Sequence, residues 1–572
     1  MKYIRLGDLL VKSGIITQAQ LDEALSLQEE SDTGERLGEV LQERGAITEK
    51  QLIDTLMSQL GVEFVDLNTY NIPSEMAQVL PKNIAKKHGV VPIRVTRSDV
   101  YVAMADPLNF VAIEEIESVT KRRVIPLIAY AAAVERAVQN LYSNQGAMRA
   151  IEDMQRDLMS SQYGSSIETS AITQAVTLDE DEADAAPAIR LVNSIIDRAC
   201  TEGASDIHME PGEDSMTIRM RIDGMLRPII PVPRELQTSV ISRIKIMARM
   251  DIAQKYVPQD GRANVTVRQE TLDLRISTLP TIYGEKVVIR LLRKTPELST
   301  LEGIGLEGEN LERFCRLVDG TTEGVIMMVG PTGSGKTSTL YTMIDRLKSN
   351  EVNLVSLEDP VEYHIDGACQ VQINEKTGLT FANVLRSVLR QDPDIIAVGE
   401  IRDGETAEIA MRAAMTGHLV LSTIHTNSAL TSIDRLLDIG VEPYLIAGAV
   451  KGIISQRLVR RICPFCRKSY TPSDEEAALM GFTVETTPPE GLTFYRGEGC
   501  GECFKTGYRG RVGVFEILNV TPAMRRAIHA SSLKDLETAM DAADFRPIMD
   551  DCRRLVLDGV TSADEIHRVL GE

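Results

Sequence analysis

Gly324–Leu347 reads GVIMMVGPTGSGKTSTLYTMIDRL. Its first six residues, dominated by Val, Ile and Met, predict a buried strand, and the run after Thr337 carries apolar residues at helical spacing. Between them stand Gly330, Pro331, Thr332, Gly333, Ser334, Gly335, Lys336 and Thr337, followed by Ser338, in the pattern G-x-x-x-x-G-K-[ST]. The glycines let backbone N–H groups curl round a phosphate, and the helix start adds positive potential. Lys336 neutralises the β- and γ-phosphates, and Thr337 offers its hydroxyl to Mg2+. A strand, a phosphate loop and a helix in this order predict a nucleotide-binding parallel α/β sheet.

From Leu301 onward the same alternation continues, with NLVSLED, DIIAVGE and LVLSTIH as further strands between helical stretches. Hydrolysis needs carboxylates at neighbouring strand ends to orient water and help hold the metal. Glu358, Asp359 and Glu362 close one strand and Glu400 another, although strand-end acids taken alone are often only solvated. His418 and His425 bracket LVLSTI seven residues apart, which puts them near opposite ends of a strand, where a lone His is usually a hydrogen-bonded core residue. Arg386, Arg390 and Arg402 flank this region. Their spacing suits either arginine fingers or simple pairing with the acids.

CPFC holds Cys463 and Cys466, and CGEC holds Cys500 and Cys503, with 33 residues between the two knuckles. Four thiolates in two CxxC pairs predict a closed tetrahedral Zn2+ site, with a hairpin insertion accommodating the long interval. Cys200, Cys315, Cys369 and Cys552 stand alone and are expected to be small buried apolar residues.

GPTGSGKT, SLEDPVEY, LRQDPDIIAVGEIRD and TGHLVLSTIHTN together resemble the Walker A, Asp, Walker B and His boxes of the secretion ATPase superfamily. ASDIHMEP, RMRIDG, VPQDGR and GEKVVIRLL narrow the resemblance to type IV pilus assembly (extension) ATPases and their type II secretion counterparts, over about residues 187–572. The resemblance implies a homo-hexameric ring in which a PAS-like domain (187–300) and a RecA-like domain (301–572, with the zinc element at 463–503) close over MgATP and work on an inner-membrane platform protein. It gives Lys336 the phosphate, Thr337 the Mg2+, Glu400 the attacking water and Glu358 the setting of metal and water. His418 and His425 become sensors of nucleotide state. The stretch DIAQKYVPQDGR lacks a Glu and an Arg frequent in that family, so Arg227 and Arg243 become the PAS-like domain's candidates for nucleotide contact.

Far upstream, RLGDLLVKSGIITQAQLDEALSLQ (5–28) and RLGEVLQERGAITEKQLIDTLMSQ (36–59) repeat one pattern. Two packed helix pairs ended by Gly14 and Gly45 explain the shared leucines and glycines, but not an Arg first and a Gln last in both copies. The tandem pattern resembles the cyclic di-GMP-binding, MshE-like N-terminal domain of some pilus and secretion ATPases. That resemblance implies a dinucleotide held by two half-sites: Arg5, Leu6, Gly7, Leu10, Gly14, Leu25 and Gln28 with Arg36, Leu37, Gly38, Leu41, Gly45, Leu56 and Gln59, the leucines offering exposed faces to a purine.

These readings predict a multidomain α/β and α+β protein. An N-terminal module (1–142), helical then α+β, is followed by a flexible acidic linker (143–186), the PAS-like unit and the RecA-like ATPase core with its four-cysteine insertion. A formal charge of -21 on 572 residues repels phosphate backbones, so a nucleic-acid polymer is not an expected partner and a DNA-translocating motor is disfavoured. No run of 18 apolar residues occurs, and the expectation is a cytoplasmic protein held at the inner face of the membrane by its partners. With every Walker residue present, a non-hydrolysing cyclic di-GMP adaptor is also disfavoured. The type II secretion motor stays open beside pilus extension.

Overall fold

The two N-terminal repeats close their first turn in the same way. Ile15 N donates to Leu10 O and Ala46 N to Leu41 O, each at 3.0 Å, and Gly14 takes a φ of +69° that a side chain would strain. The computed structural model describes every residue except 1–9, 31–36, 38–39, 42–43, 45, 68–69, 71, 74, 162–175, 178–185, 268–269, 293–299, 483–490, 544 and 572. Helices α1 (Gln18–Glu30) and α2 (Glu49–Leu60) follow the two turns. Each begins with reciprocal capping: Thr17 N and Thr48 N donate to the Oε1 atoms of Gln20 and Gln51 at 2.9 Å, and the two Thr Oγ1 atoms accept from Gln20 N and Gln51 N at 3.3 Å. Leu10, Ile16, Leu41 and Ile47 are buried together.

The helices lead into a three-stranded sheet of β1 (Val90–Val95), β2 (Asp99–Met104) and β3 (Arg123–Ile128). β1 and β2 are antiparallel, and α3 (Phe110–Thr120) makes the crossover to the parallel β3. Helix α4 (Ala131–Ser161) then runs for 31 residues. Its first half buries Ala133, Val134, Ala137, Val138 and Tyr142 in this sheet's core, and its second half buries Ala147, Ala150, Ile151 and Met154 in the core of the next unit. The expected flexible linker therefore does not begin at Ser143. Residues 147, 150, 151 and 154 form an i, i+3, i+4, i+7 stripe, which small alanines among polar neighbours make faint in the sequence. The acid run LDEDEADA lies outside the described residues.

The middle unit is a sheet with strand order β4-β8-β9-β10-β5-β6-β7. Its strands are β4 (Val176–Thr177), β5 (Asp206–Pro211), β6 (Ser215–Ile222), β7 (Met225–Pro233), β8 (Gln259–Val267), β9 (Glu270–Thr281) and β10 (Gly284–Leu292). Every pair is antiparallel except β4 with β8. Along β6 Met216, Ile218, Met220 and Ile222 are buried, because alternate side chains face the helices α5 (Pro187–Thr201) and α6 (Gln237–Met247). Arg219 and Arg221 take the opposite, polar face.

The C-terminal sheet has the order β13-β12-β14-β15-β11-β16-β19. It comprises β11 (Gly324–Val329), β12 (Leu354–Glu358), β13 (Cys369–Gln372), β14 (Ile395–Val398), β15 (Leu419–Ile424), β16 (Val450–Ile462) and β19 (Tyr508–Asn519). β11 to β15 are parallel, β16 runs parallel to β11, and β19 closes the edge antiparallel to β16. β11, β14 and β15 are buried along their whole length, as mainly apolar strands are when helices cover both faces. Val325, Ile326, Met327, Met328 and Val329 are 0% exposed, and each such side chain contributes about 1.5–3 kcal/mol by leaving water. Helices α7 (Lys336–Leu347), α8 (Phe381–Val388) and α9 (Gly404–Met415) connect the strands. Between the two cysteine pairs, β17 (Arg467–Tyr470) and β18 (Phe494–Gly497) form the antiparallel hairpin that spans the long interval.

Candidate active site

In a parallel sheet all strands end at one edge, so residues just after different strands converge. Gly330–Thr337 follows β11, Glu400 follows β14 and His425 follows β15 directly. In the loop Gly330, Gly333 and Gly335 take φ values of +153°, +79° and +90°. A Cβ on Gly330 would stand 2.4 Å from Ser334 Oγ and 2.5 Å from Gln456 O, and one on Gly335 would meet Gln456 Nε2 at 2.8 Å. Both glycines are required by close approach of the β16 backbone and side chain. Gln456 is itself fixed by Thr339, whose Oγ1 donates to Gln456 Oε1 at 2.7 Å.

Lys336 is 7% exposed and donates from Nζ to Gly330 O at 2.7 Å and to Pro331 O at 3.0 Å. Burial lowers its pKa to about 8; Glu400 opposes that shift and Arg457 adds to it. Nζ also lies 3.3 Å from His425 Nδ1, and His425 Nε2 lies 3.1 Å from Glu400 Oε2. An ammonium can only donate, so Nδ1 is the acceptor and the neutral Nε2–H tautomer bonds the carboxylate. The other Glu400 oxygen is held by Arg402, which also approaches Asp359 at 3.4 Å. Five residues from four strand ends thus form one polar chain.

Glu358 sits differently. It is 4% exposed, and its carboxylate accepts from Ser356 Oγ at 2.6 Å, from Gln370 Nε2 at 3.0 Å and from the Tyr341 hydroxyl of α7. Burial and this carboxylate push the Tyr341 hydroxyl's pKa up. Three protein donors therefore engage the carboxylate assigned to metal and water, and it ties β12 to the helix after the phosphate loop.

The histidines divide as the strand dictates. His425 is in the site, whereas His418 precedes β15 at the opposite edge, its Nδ1 2.9 Å from Ala413 O. A six-residue strand separates them by about 20 Å, so His418 does not reach this chain's phosphate loop. Arg390 lies before β14, also at the far edge, and bonds Arg386 O. Arg386 pairs with Glu405 at the surface. Neither arginine meets this chain's loop. Arg227 lies over the Phe504 ring at 5.7 Å, beside the cysteine cluster rather than the loop. Arg243 lies on α6 of the middle unit. Cations of the middle unit that meet the motor include Arg275 of β9, which donates to Val361 O at 2.6 Å and pairs with Glu362 at 3.2 Å, and Arg262 of β8, which donates to Gln372 Oε1 at 3.5 Å. Arg275 lines a cavity of about 420 Å3 with Arg262 and Arg290. Sequence reading missed Gln456, Arg457 and Arg275; the polar pair interrupting the apolar run of β16 is the signal that could have found the first two.

Cys463, Cys466, Cys500 and Cys503 place their sulfurs within 4.8 Å of one another, with pairs at 3.8, 3.9 and 3.8 Å. A tetrahedron of about 2.3 Å Zn–S bonds has sulfurs about 3.8 Å apart, so the donor set fits Zn2+. Burial pushes the Cys503 thiol up, but N–H donors of Cys500 and Gly507, each at 3.1 Å, outweigh it and hold the thiol down to about 7.

Of the proposed dinucleotide contacts, Arg5, Leu6, Gly7, Arg36, Gly38, Gly45 and the side chains of Gln28 and Gln59 lie outside the described residues. Leu10 and Leu41 are 0% and 1% exposed, which corrects their assignment as open purine-facing leucines; packing between the repeats consumes them. Leu37 and Leu56 are half-buried, and Leu25 is exposed.

A family model described as Type II/IV secretion system protein matches residues 181–568, and an MshEN domain model matches residues 60–148. Type II secretion system protein E of Pseudomonas aeruginosa (strain PAO1) is 42% identical over 509 residues, covering 87% of this chain and 98% of the relative. Type IV pilus assembly ATPase PilB of Myxococcus xanthus (strain DK1622) is 38% identical over 571 residues, covering 98% of each. Among solved structures, the ATPase DotB of Legionella pneumophila shares the fold, with 19% identity and a TM-score of 0.51 over 69% of this chain and 98% of that one.

Proposed function

Because the chain belongs to the type II/IV secretion system protein family and is an ATPase of that family, we propose that it powers type IV pilus extension, working as a homo-hexamer on an inner-membrane platform protein. The observation that carries the chemistry is the Lys336–His425–Glu400 chain at one strand edge. Full-length similarity to a pilus assembly ATPase, from the N-terminal repeats to the C-terminus, supports pilus extension over type II secretion.

The phosphates of ATP lie on the amides of Gly330–Thr337 and draw Lys336 from its loop carbonyls. Mg2+, held through Thr337, neutralises charge on the β- and γ-phosphates when bound. Glu400 accepts a hydrogen bond from the attacking water, and His425 and Arg402 hold its two oxygens in place. The middle unit, which the family resemblance makes PAS-like, closes on the motor with Arg275 and its neighbours presented toward the nucleotide.

The MshEN match over residues 60–148 supports cyclic di-GMP as a ligand of the N-terminal module; the tandem repeats upstream of that match supply the contacts in this reading, Arg5 and Arg36 reading its two halves and Leu25 against a purine. Zn2+ occupies the four cysteines. The protein is cytoplasmic and reaches the membrane through its partners; among the described residues no helix is long and apolar enough to cross one.

Deletion of the gene, complemented with wild type or Glu400→Gln, tests the reading. Loss of surface pili restored only by wild type is the expected result. Normal piliation with a lost exoprotein instead identifies the secretion motor.

A further inference from the structure

Each cysteine knuckle carries an outward residue that meets the same guanidinium. Arg136, in the first turns of α4, places Nε 2.7 Å from Glu502 Oε1 and its Cζ 4.4 Å from the centre of the Phe465 ring. Phe465 stands inside CPFC and Glu502 inside CGEC. The two charged side chains are 23% and 8% exposed, a desolvated setting in which cation–π and ionic contacts are strongest and loss of one partner strands the other. Arg509, at the start of β19, also holds Glu502 at 2.7 Å and lies with its Cζ 6.0 Å from the centre of the Phe465 ring. The middle unit touches the start of β19 beside Arg509, with Gly510 N donating to Asp223 Oδ2 at 2.9 Å. The far half of α4 is part of the middle unit's core. A helix of 31 residues spans about 46 Å and carries a tilt from one end to the other.

We propose that the four-cysteine element is the docking seat of the N-terminal module, with Arg136 as the latch, and that α4 carries the module's orientation to the element and the middle unit together. The cluster then has a purpose beyond local stability: it holds Phe465 and Glu502 at the separation that receives one guanidinium. Motion of the middle unit over the motor moves both contacts of α4, so nucleotide state and module position are coupled. The coupling holds whichever ligand the module binds.

Hydrogen exchange on the full-length protein tests this. Glu502→Gln and Arg136→Ala should each speed exchange of residues 131–142 by about tenfold, and the double variant should do no more than either, because one contact is lost in all three. Arg509→Ala, which removes the β19 cation that Glu502 and Phe465 also meet but leaves Arg136 in place, should leave that segment at the wild-type rate. A non-hydrolysable MgATP analogue should alter exchange at 131–142 in wild type and not in Arg136→Ala, whose basal ATP turnover stays near wild type. An unchanged segment in Glu502→Gln, additive effects in the double variant, or an equal rise in Arg509→Ala each overturns the proposal.

Discussion

His425 Nε2 lies 3.1 Å from Glu400 Oε2, and the same ring turns Nδ1 to Lys336 Nζ at 3.3 Å. The loop cation and the carboxylate proposed to orient water are therefore joined through one imidazole. His425→Ala leaves the phosphate loop intact but frees Glu400 on one side. Turnover should fall by about 10- to 100-fold while the Kd of a MgATP analogue changes less than about threefold, read by steady-state kinetics and titration.

Lys336 binds phosphate only when charged, and its pKa lies down at about 8. Nucleotide affinity should therefore be full below that pH and weaken as pH rises through 8 toward 9. The bound phosphates favour the ammonium, so binding near pH 8.5 should take up protons. Calorimetry in buffers of different ionisation heat measures that uptake; none at pH 8.5 contradicts the assignment.

Much of the active edge was legible because each strand is a short, mainly apolar run and the chemical residues stand at or just after its end. The spacing of His418 and His425 already put them at opposite ends of one strand, as the structure has them; Arg390 precedes β14 and so stands at the end away from the phosphate loop. Gln456 and Arg457 were missed because they act from within β16, where the eye expects only core. In the N-terminal repeats the shared Thr and Gln were capping boxes, a local signal left unread, and the weak alanine stripe hid the second half of α4.

Those capping boxes separate fold from ligand. Thr17→Ala and Thr48→Ala should each cost about 1 kcal/mol of module stability and spare dinucleotide affinity at low temperature. Arg5→Ala and Arg36→Ala should each weaken cyclic di-GMP binding nearly as much as the pair, since both halves hold one ligand. Thermal melts and calorimetry distinguish the two sets; equal binding loss in both would make the repeats packing elements alone.

Cys503→Ser removes one of four sulfurs spaced for a tetrahedral ion. Elemental analysis should give one zinc per chain in wild type and well below that in the variant, with earlier thermal unfolding. Absence of zinc from fully active wild-type protein contradicts the metal assignment.

The most direct test of the account compares Glu400→Gln with Lys336→Ala in one single-turnover experiment with labelled ATP. Glu400→Gln should bind ATP with near wild-type affinity and lose hydrolysis by at least about 100-fold, because only the handling of water fails. Lys336→Ala should lose affinity itself. Equal loss of ATP binding in both variants, or near-normal hydrolysis in Glu400→Gln, would contradict the placing of catalysis at Glu400.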